Sequence, residues 1–223
     1  MPVTVALSYV SDGSMYNRND MFDANVITAR KAFLKNQNIT IDQTTRLKVV
    51  FERDDYCRYV EIDESTKGDG MQDNNGPIVD AIITRNTHHA LFLPVADCVG
   101  AVLYDPEHNI LALAHLGRHS LEQLGAQKII EHLAEKYTSN PASLKVWLTA
   151  AAGKDIYQIW KLDNKGMKEA TFEQLLQAGV VPDNIIDDSA DTTSNKAYYS
   201  YSEYLKGHRP VDGDHAIVAM MTD

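Results

Sequence analysis

The sequence is poor in cysteine and in positive charge, and it has no long apolar run. Its two cysteines, Cys57 and Cys98, are too few for a framework of several disulfide bonds, so we expect a reducing, cytoplasmic location. A membrane-spanning helix needs about 20 apolar residues, and no segment comes near that length. The first residues lack the basic start and the cleavage site of a signal peptide. We therefore expect neither a membrane protein nor a secreted one.

Positive charge is scarce as well. Lysine and arginine together number 21 against 31 aspartates and glutamates, which gives a formal net charge of −10. Non-specific binding to nucleic acid needs clustered Lys and Arg on the phosphate backbone. The one short basic cluster is Arg46-Leu47-Lys48, to which we assign no role. We therefore expect no nucleic-acid partner, and the sequence leaves the oligomeric state open.

The length and composition are those of one globular domain. Of the 223 residues, 44 % are hydrophobic and 23 % are charged, and a chain of this length can bury a sizeable core. The densest apolar region predicts four buried strands, over residues 79–84, 90–96, 100–104 and 110–115. We predict a mixed α/β fold with a mainly β core flanked by helices, in a single domain over residues 1–223.

The remaining elements follow from periodicity and from capping residues. Asn19 or Asp20 can cap a first helix that runs to about Leu34. Ser120 and Gln123 form a capping-box pattern ahead of a second helix. The same reasoning predicts a third helix over residues 168–178, a loop over 67–77, and strands over 3–10, 46–52, 58–63, 144–150, 156–160, 198–201 and 215–221.

Two reactive side chains stand where predicted strands end. Cys98 follows one buried strand, and His115 closes another. Strand ends that open into loops are common places for functional groups. If the strands are neighbours, the thiol and the imidazole meet there, as an activated nucleophile or as half of a zinc site. The plainer alternative is that Cys98 is a small core residue and His115 is simply hydrogen-bonded.

The residues around this pair resemble a known family. Val95-Ala96-Asp97-Cys98 resembles the TADC segment of the laccase-domain (YfiH-like) purine nucleoside phosphorylase family. His115-Leu116-Gly117, with its histidine seventeen positions after Cys98, resembles the family's HAGWRG segment. Asp105-Pro106 is similar to the family's usual turn, and Tyr198-Tyr199-Ser200-Tyr201 to its FFSYR segment. The resemblance covers essentially the whole chain.

The resemblance implies a fold, a site and an activity. The fold is a single α/β domain like YfiH, related to the catalytic domain of cytotoxic necrotizing factor toxins. The site is a cluster of one Cys and two His that holds zinc or acts in catalysis, and here it would contain Cys98 and His115. The activity is phosphorolysis of purine nucleosides such as adenosine and inosine, with adenosine deamination as a side reaction. The partners are therefore a purine nucleoside and phosphate.

An older name for the family, polyphenol oxidase, suggests copper, but the sequence favours zinc. A copper cluster needs several histidine ligands, and the one close pair here is His88-His89. A straight strand would place that pair about 30 Å from Cys98. We expect both histidines to be solvated residues at a strand edge.

Two of the family's functional residues are missing. The stretch that matches its QVHG segment, residues 51–56, contains no histidine, and Val10 stands in place of an early arginine. The third zinc ligand is therefore open between Asp54, Cys57 and His119. Because of these losses, the resemblance does not decide whether the chain is an enzyme.

Other residues near the two motifs are candidates for binding substrate. Asp97 precedes the cysteine, and Arg118 could supply the anion-binding charge that Val10 lacks, unless it is a surface arginine. Tyr199 and Tyr201 could stack on a purine base, although their alternation is also that of a half-buried strand.

Three hypotheses about function remain. The first is a divergent purine nucleoside phosphorylase or adenosine deaminase-like enzyme, a transferase or hydrolase acting through Cys98 and His115. The second is a catalytically degenerate family member that binds a ligand or a partner. The third is a cysteine hydrolase or deamidase with a Cys98–His115 dyad, which requires a low thiol pKa.

Overall fold

Two stacked β-sheets form the centre of the structure. The computed structural model describes residues 2–20 and 22–223. The strands are β1 (Val3–Leu7), β2 (Thr44–Arg46), β3 (Tyr59–Glu61), β4 (Ala81–Thr84), β5 (Ala90–Val95), β6 (Val99–Asp105), β7 (Ile110–Leu116), β8 (Lys145–Leu148), β9 (Gln158–Ile159), β10 (Lys165–Gly166), β11 (Ile185–Asp187) and β12 (His215–Met221). The helices are α1 (Ala24–Asn36), α2 (Arg118–Glu122), α3 (Gly125–Tyr137), α4 (Met167–Gln177) and α5 (Tyr201–Leu205).

Strand pairing is antiparallel in the middle of each sheet and parallel at edges. The larger sheet has the order β11-β8-β6-β7-β4-β3, and the smaller sheet has the order β1-β12-β5-β2. The pairs β11–β8, β3–β4 and β2–β5 are parallel. Strands β9 and β10 form a separate short pair. The chain passes from the smaller sheet to the larger one between β5 and β6, so residues 96–98 bridge the two sheets at one end.

Apolar side chains fill three layers between the sheets and the helices. Val102 and Leu113 of the larger sheet meet Leu93 and Ile217 of the smaller sheet in the central layer. Helices α2, α3 and α4 cover the outer face of the larger sheet, and α1 covers the smaller one. Strands buried on both faces read as continuous apolar runs. The observed fold, a mixed α/β fold with a mainly β core, therefore agrees with the prediction.

The four strands predicted between residues 79 and 115 are confirmed, but two predicted helix starts are wrong. Helix α1 is capped by Asp23, whose side chain accepts a hydrogen bond from the Asn25 N–H at 2.8 Å. Ser120 lies inside α2 instead of capping a helix, and Leu124, at φ 64°, separates α2 from α3. The Gln123 side chain is not part of a cap because it bonds the segment around residue 55.

Two other sequence predictions fail for local reasons. Residues 198–201 do not form a strand, because Ser200 accepts a hydrogen bond from the Glu203 N–H and caps α5. His89 is not a solvated edge residue, since its ring is fully buried and lies 2.7 Å from the Thr45 hydroxyl.

Among the described residues, no helix has both the length and the apolar character that crossing a bilayer requires.

Two buried histidines link stability to pH. His89 and His215 have 0 % exposure, and burial lowers the pKa of each to about 4 from the usual 6.5. Both ring nitrogens of His215 are without a hydrogen-bond partner in the described part of the chain. Between pH 6.5 and 4 the unfolded chain therefore binds more protons than the folded protein, and stability falls as the pH falls.

We predict that lowering the pH from 7 to 4 costs about 3 kcal/mol of unfolding free energy for each of these histidines. Urea unfolding at several pH values measures this loss. His215→Phe removes one titrating group, so its stability should fall less over the same range than that of the wild type. Equal losses in the two proteins would contradict the prediction.

Candidate functional site

The register of β6 and β7 brings Cys98 and His115 together. Gly100 pairs with His115 and Val99 with Leu116, so Cys98 falls opposite Gly117, two positions from the histidine. Residues two apart on a strand share one face. A Cβ on Gly117 would lie 3.2 Å from Cys98 Sγ and 2.7 Å from His115 Cε1. The thiol and the imidazole therefore meet over a glycine that leaves room for both.

A cleft of about 330 Å³ opens onto this pair. It lies where the β5–β6 connection, the segment after β2 and the residue before β12 come together. Besides Cys98 and His115, its polar and aromatic lining residues are Tyr16, Arg18, Arg46, Lys48, Phe51, Tyr201 and Asp214. The cleft thus combines aromatic rings, cationic side chains and one carboxylate.

Burial keeps the central pair neutral. It raises the pKa of the Cys98 thiol to about 12, and Asp97 and Asp214 act in the same direction. Burial also lowers the pKa of His115 to about 4. At neutral pH the site therefore holds a thiol beside a neutral imidazole. Both groups can form hydrogen bonds, but neither carries a charge.

The position next to His115 is occupied by Phe51. The two rings meet edge to face with their centroids 6.2 Å apart. Asp54 and Cys57, proposed above as third ligands, do not line the cleft. The Asp54 carbonyl accepts a hydrogen bond from Gln123 Nε2 at 2.6 Å, and Cys57 Sγ lies 3.8 Å from the Gln123 carbonyl. These contacts with Gln123 hold residues 54–57 against the end of α2.

Arg118 and His119 line a different cavity, of about 660 Å³. The His119 ring stacks on Tyr56 with a centroid separation of 4.7 Å. Arg118 Nη2 lies 3.3 Å from His119 Nε2. Helix α2 begins directly after Gly117, and neither of these two side chains lines the cleft with Cys98.

Asp97 anchors the loop that carries α5. Its carboxylate accepts hydrogen bonds from the Thr192 hydroxyl and the Ser202 N–H, both at 2.7 Å, and its carbonyl accepts one from the Ala152 N–H at 2.8 Å. The residue is 6 % exposed and does not line the cleft. The structure therefore places Asp97 behind the site, as a positioning residue.

The two candidate tyrosines lie in different surroundings. Tyr201 lines the cleft, and the Arg18 guanidinium stacks over its ring with a separation of 4.2 Å. Tyr199 is buried outside the cleft, where a Cβ on Gly213 would lie 2.6 Å from its ring. Of the two rings, only that of Tyr201 is placed to touch a ligand in this cleft.

Sequence reasoning missed Arg18 and Asp214. Arg18 donates to Asp214 at 2.6 Å and to Asp212 at 2.5 Å. Burial raises the pKa of Asp214 to about 6, although Arg18 opposes this shift. Burial alone would lower the pKa of Arg18, but the two carboxylates raise it. The arginine and the aspartates lie at opposite ends of the chain, so no local pattern could have paired them.

Arg46 and Lys48, to which the sequence analysis gave no role, also face the cleft. The segment is extended, so residues 46 and 48 share one face, while Leu47 packs into the central layer. A basic-apolar-basic triplet at the end of a strand was the available signal. Its two charges are presented together because the residue between them belongs to the core.

Comparison with known proteins supplies the family. A family model described as multi-copper polyphenol oxidoreductase laccase matches residues 14–165. The chain belongs to this laccase family. The resemblance inferred from the motifs is therefore confirmed. None of the curated protein sequences matches this laccase-family chain.

Solved structures confirm the fold of this laccase-family chain. Bacillus licheniformis hypothetical protein YfiH has a TM-score of 0.83 and 17 % identity over 99 % of this chain and 93 % of its own. YlmD from Geobacillus stearothermophilus has a TM-score of 0.85 and 17 % identity over 99 % of this chain and 92 % of its own. Neisseria meningitidis protein NMB0706 has a TM-score of 0.71 and 13 % identity over 100 % and 91 %.

The laccase family's description implies copper, and the sequence resemblance implied zinc, but the donors in this cleft match neither. A catalytic zinc takes three protein ligands, and copper clusters take several histidines. The cleft offers Cys98 and His115, while its carboxylate, Asp214, is paired with Arg18. Across residues 2–20 and 22–223, no three His, Cys, Asp or Glu side chains are grouped to hold a metal.

We predict that the Cys98 thiol of the folded protein reacts slowly with iodoacetamide. Its raised pKa leaves little thiolate at pH 8, and thiolate is the reactive form. In a Cys57→Ser background, labelling should be more than about 100-fold slower in buffer than in denaturant. Mass spectrometry gives both rates. Equally fast labelling would contradict the raised pKa, and labelling that is faster in buffer than in denaturant would show an activated thiolate of the kind that a cysteine hydrolase needs.

We predict that Asp97→Asn lowers the unfolding free energy by about 1–3 kcal/mol, because one of its two buried donors loses its acceptor. Denaturant unfolding measures the change. Exposed Asp155 offers a matched control, and Asp155→Asn should change stability by less than about 0.5 kcal/mol. An Asp97→Asn protein of unchanged stability but weakened ligand binding would support the direct substrate contact that the sequence suggested.

Proposed function

We propose that this laccase-family chain is a purine nucleoside phosphorylase whose active site is the cleft around Cys98 and His115. One observation carries the proposal: the two motif residues share a single cleft with aromatic rings and cationic side chains. Aromatic rings suit a purine base, and cationic groups suit phosphate. The positive charge that seemed lost with Val10 is present in the cleft on Arg18, Arg46 and Lys48.

The reaction has simple requirements. An oxygen of phosphate attacks C1′ of the ribose, the bond from C1′ to the base nitrogen breaks, and the departing purine takes up a proton. Holding both reactants in one cleft supplies proximity and orientation. The neutral Cys98 and His115 side chains would orient the base through hydrogen bonds. Asp214 in its protonated form would donate the proton, since burial raises its pKa to about 6 although Arg18 opposes this shift, and such a carboxyl is a suitable general acid.

A second candidate is supported by Phe51. The Phe51 ring lies beside His115, and it can pack on a ligand but cannot transfer a proton. This arrangement would suit a family member that binds a purine nucleoside without turning it over. The third hypothesis, a cysteine hydrolase, finds no support in a half-buried thiol whose pKa is raised.

We predict that the purified protein converts inosine and adenosine, in phosphate buffer, to the free base and ribose 1-phosphate. Cys98→Ala should lower kcat/KM by about 100-fold or more, because the group that orients the base is removed. Cys57 lies outside the cleft, so Cys57→Ala is the matched control and should keep wild-type activity. Chromatography separates the purine products, and formation of inosine from adenosine would reveal deamination.

Binding measurements and metal analysis on the same samples separate the rival hypotheses. A folded protein that binds inosine in calorimetry without turnover would support the binding-only alternative. A folded protein that neither binds nor converts any purine nucleoside would contradict the phosphorylase proposal. Metal analysis of the purified protein tests the zinc that the family resemblance implies.

A further inference from the structure

In the described part of the chain, two cations of the cleft form no ion pair with a carboxylate. Arg46 donates through Nε to the Gly70 carbonyl and through Nη2 to the Asp73 carbonyl at 3.5 Å. Lys48 Nζ donates to Asn74 Oδ1 at 2.6 Å. These acceptors are neutral, whereas Arg18 in the same cleft is paired with two carboxylates. Arg46 and Lys48 therefore face the cleft without an ion-pair partner among the described residues, although the Asp73 carboxylate attracts the charge of Arg46.

A third cation stands behind them. Arg30 is 2 % exposed, and its Nη1 lies 2.8 Å from the Met71 carbonyl and 3.4 Å from the same Gly70 oxygen that Arg46 uses. Burial and the neighbouring Arg46 lower the pKa of Arg30 to about 9. Two buried guanidinium groups that converge on one carbonyl oxygen repel each other. A bound anion would offset this cost.

The Asp73 carboxylate attracts Arg46 but forms no ion pair with it. Asp73 uses its Oδ1 to accept hydrogen bonds from the Gly70 and Asn75 N–H groups, and its Oδ2 to accept one from the Asn75 side chain. It thereby shapes the loop and forms no ion pair with Arg46. In a chain with a net charge of −10, a cluster of cations held without ion pairs is a local exception that an anionic ligand would explain.

The backbone that carries the two cations is held in place. The N–H groups of residues 46, 47 and 48 donate to the carbonyls of Asp69, Phe92 and Pro77, each at 2.9 Å. Gly76 crosses so closely that a Cβ on it would lie 2.4 Å from the Arg46 carbonyl oxygen. A binding group is effective when its support is rigid, and this segment is fixed between the loop and β5.

We infer that Arg46 and Lys48 form an oxyanion subsite that binds a phosphate group inside the cleft. A planar guanidinium fork and a mobile ammonium together suit a tetrahedral oxyanion. The inference rests on the proposed function for the nature of the second ligand, a purine nucleoside. The phosphate is either inorganic phosphate, the co-substrate of phosphorolysis, or the phosphate carried by a nucleoside monophosphate.

Calorimetric titration with inorganic phosphate at constant ionic strength tests the subsite without any turnover. Lys48→Gln should weaken phosphate binding by tenfold or more, because it removes one of the two charges. Lys31 is exposed on α1 and outside the cleft, so Lys31→Gln is the matched control and should bind phosphate like the wild type. Arg46→Lys keeps the charge but loses the fork, and it should also weaken binding if it folds.

Phosphate affinity unchanged in Lys48→Gln would overturn the inference, as would a wild type that binds neither phosphate nor inosine 5′-monophosphate. Inosine turnover with an unchanged phosphate KM in Lys48→Gln would also overturn it, while leaving the phosphorylase proposal intact. Phosphate binding that depends on Lys48, in a protein without turnover, would support the subsite and count against the phosphorylase.

Competition identifies the source of the phosphate group. If inosine 5′-monophosphate displaces phosphate, and its own affinity falls in Lys48→Gln, the subsite takes the phosphate of a nucleotide. If inosine and phosphate bind together, and the monophosphate does not compete, the subsite takes the free ion. Either result supports the inference.

Discussion

The antiparallel pairing of β6 with β7 is the constraint on which the site depends. Its register sets Cys98 opposite Gly117 and places His115 on the same face. Both residues lie at the end of the two stacked sheets where the chain passes from β5 to β6. A slip by one residue would turn the histidine to the other side of the sheet. Both strands are buried on both faces, so the core fixes this register and thereby fixes the site.

The charged side chains that face the cleft are mostly positive, although the net charge of the chain is negative. The molecule carries a net charge of −10, yet Arg18, Arg46 and Lys48 face one cleft. Arg18 is compensated by Asp212 and Asp214, while the hydrogen bonds of the Arg46 and Lys48 side chains within the described part of the chain go to neutral acceptors. Such an arrangement costs free energy without a ligand, because buried cations are poorly solvated. The cleft is therefore better explained by binding than by stability.

The fold has persisted while the site has changed. Structures with 17 % identity share nearly the whole chain with this protein at TM-scores of 0.83 and 0.85. The cysteine and histidine of the two motifs are kept, but residues 51–56, which match the segment of the family's first histidine, contain none, and Val10 stands in place of an arginine. Packing tolerates such replacements at a cleft, because cleft residues contribute little to the core. The family model thus establishes ancestry, and the chemistry has to be argued from the side chains.

The sequence by itself determined the strands between residues 79 and 115 and the last strand. It also identified Cys98 and His115 as the centre of the candidate site. Those conclusions rest on apolar runs and short motifs, which are local properties. Tertiary structure alone decided that Arg46 and Lys48 face the cleft, that Arg18 meets Asp214, and that Asp97 and Arg118 lie outside it. The physical reason is that such contacts join residues far apart in the chain. Their geometry depends on strand register and loop anchoring, which no local pattern encodes.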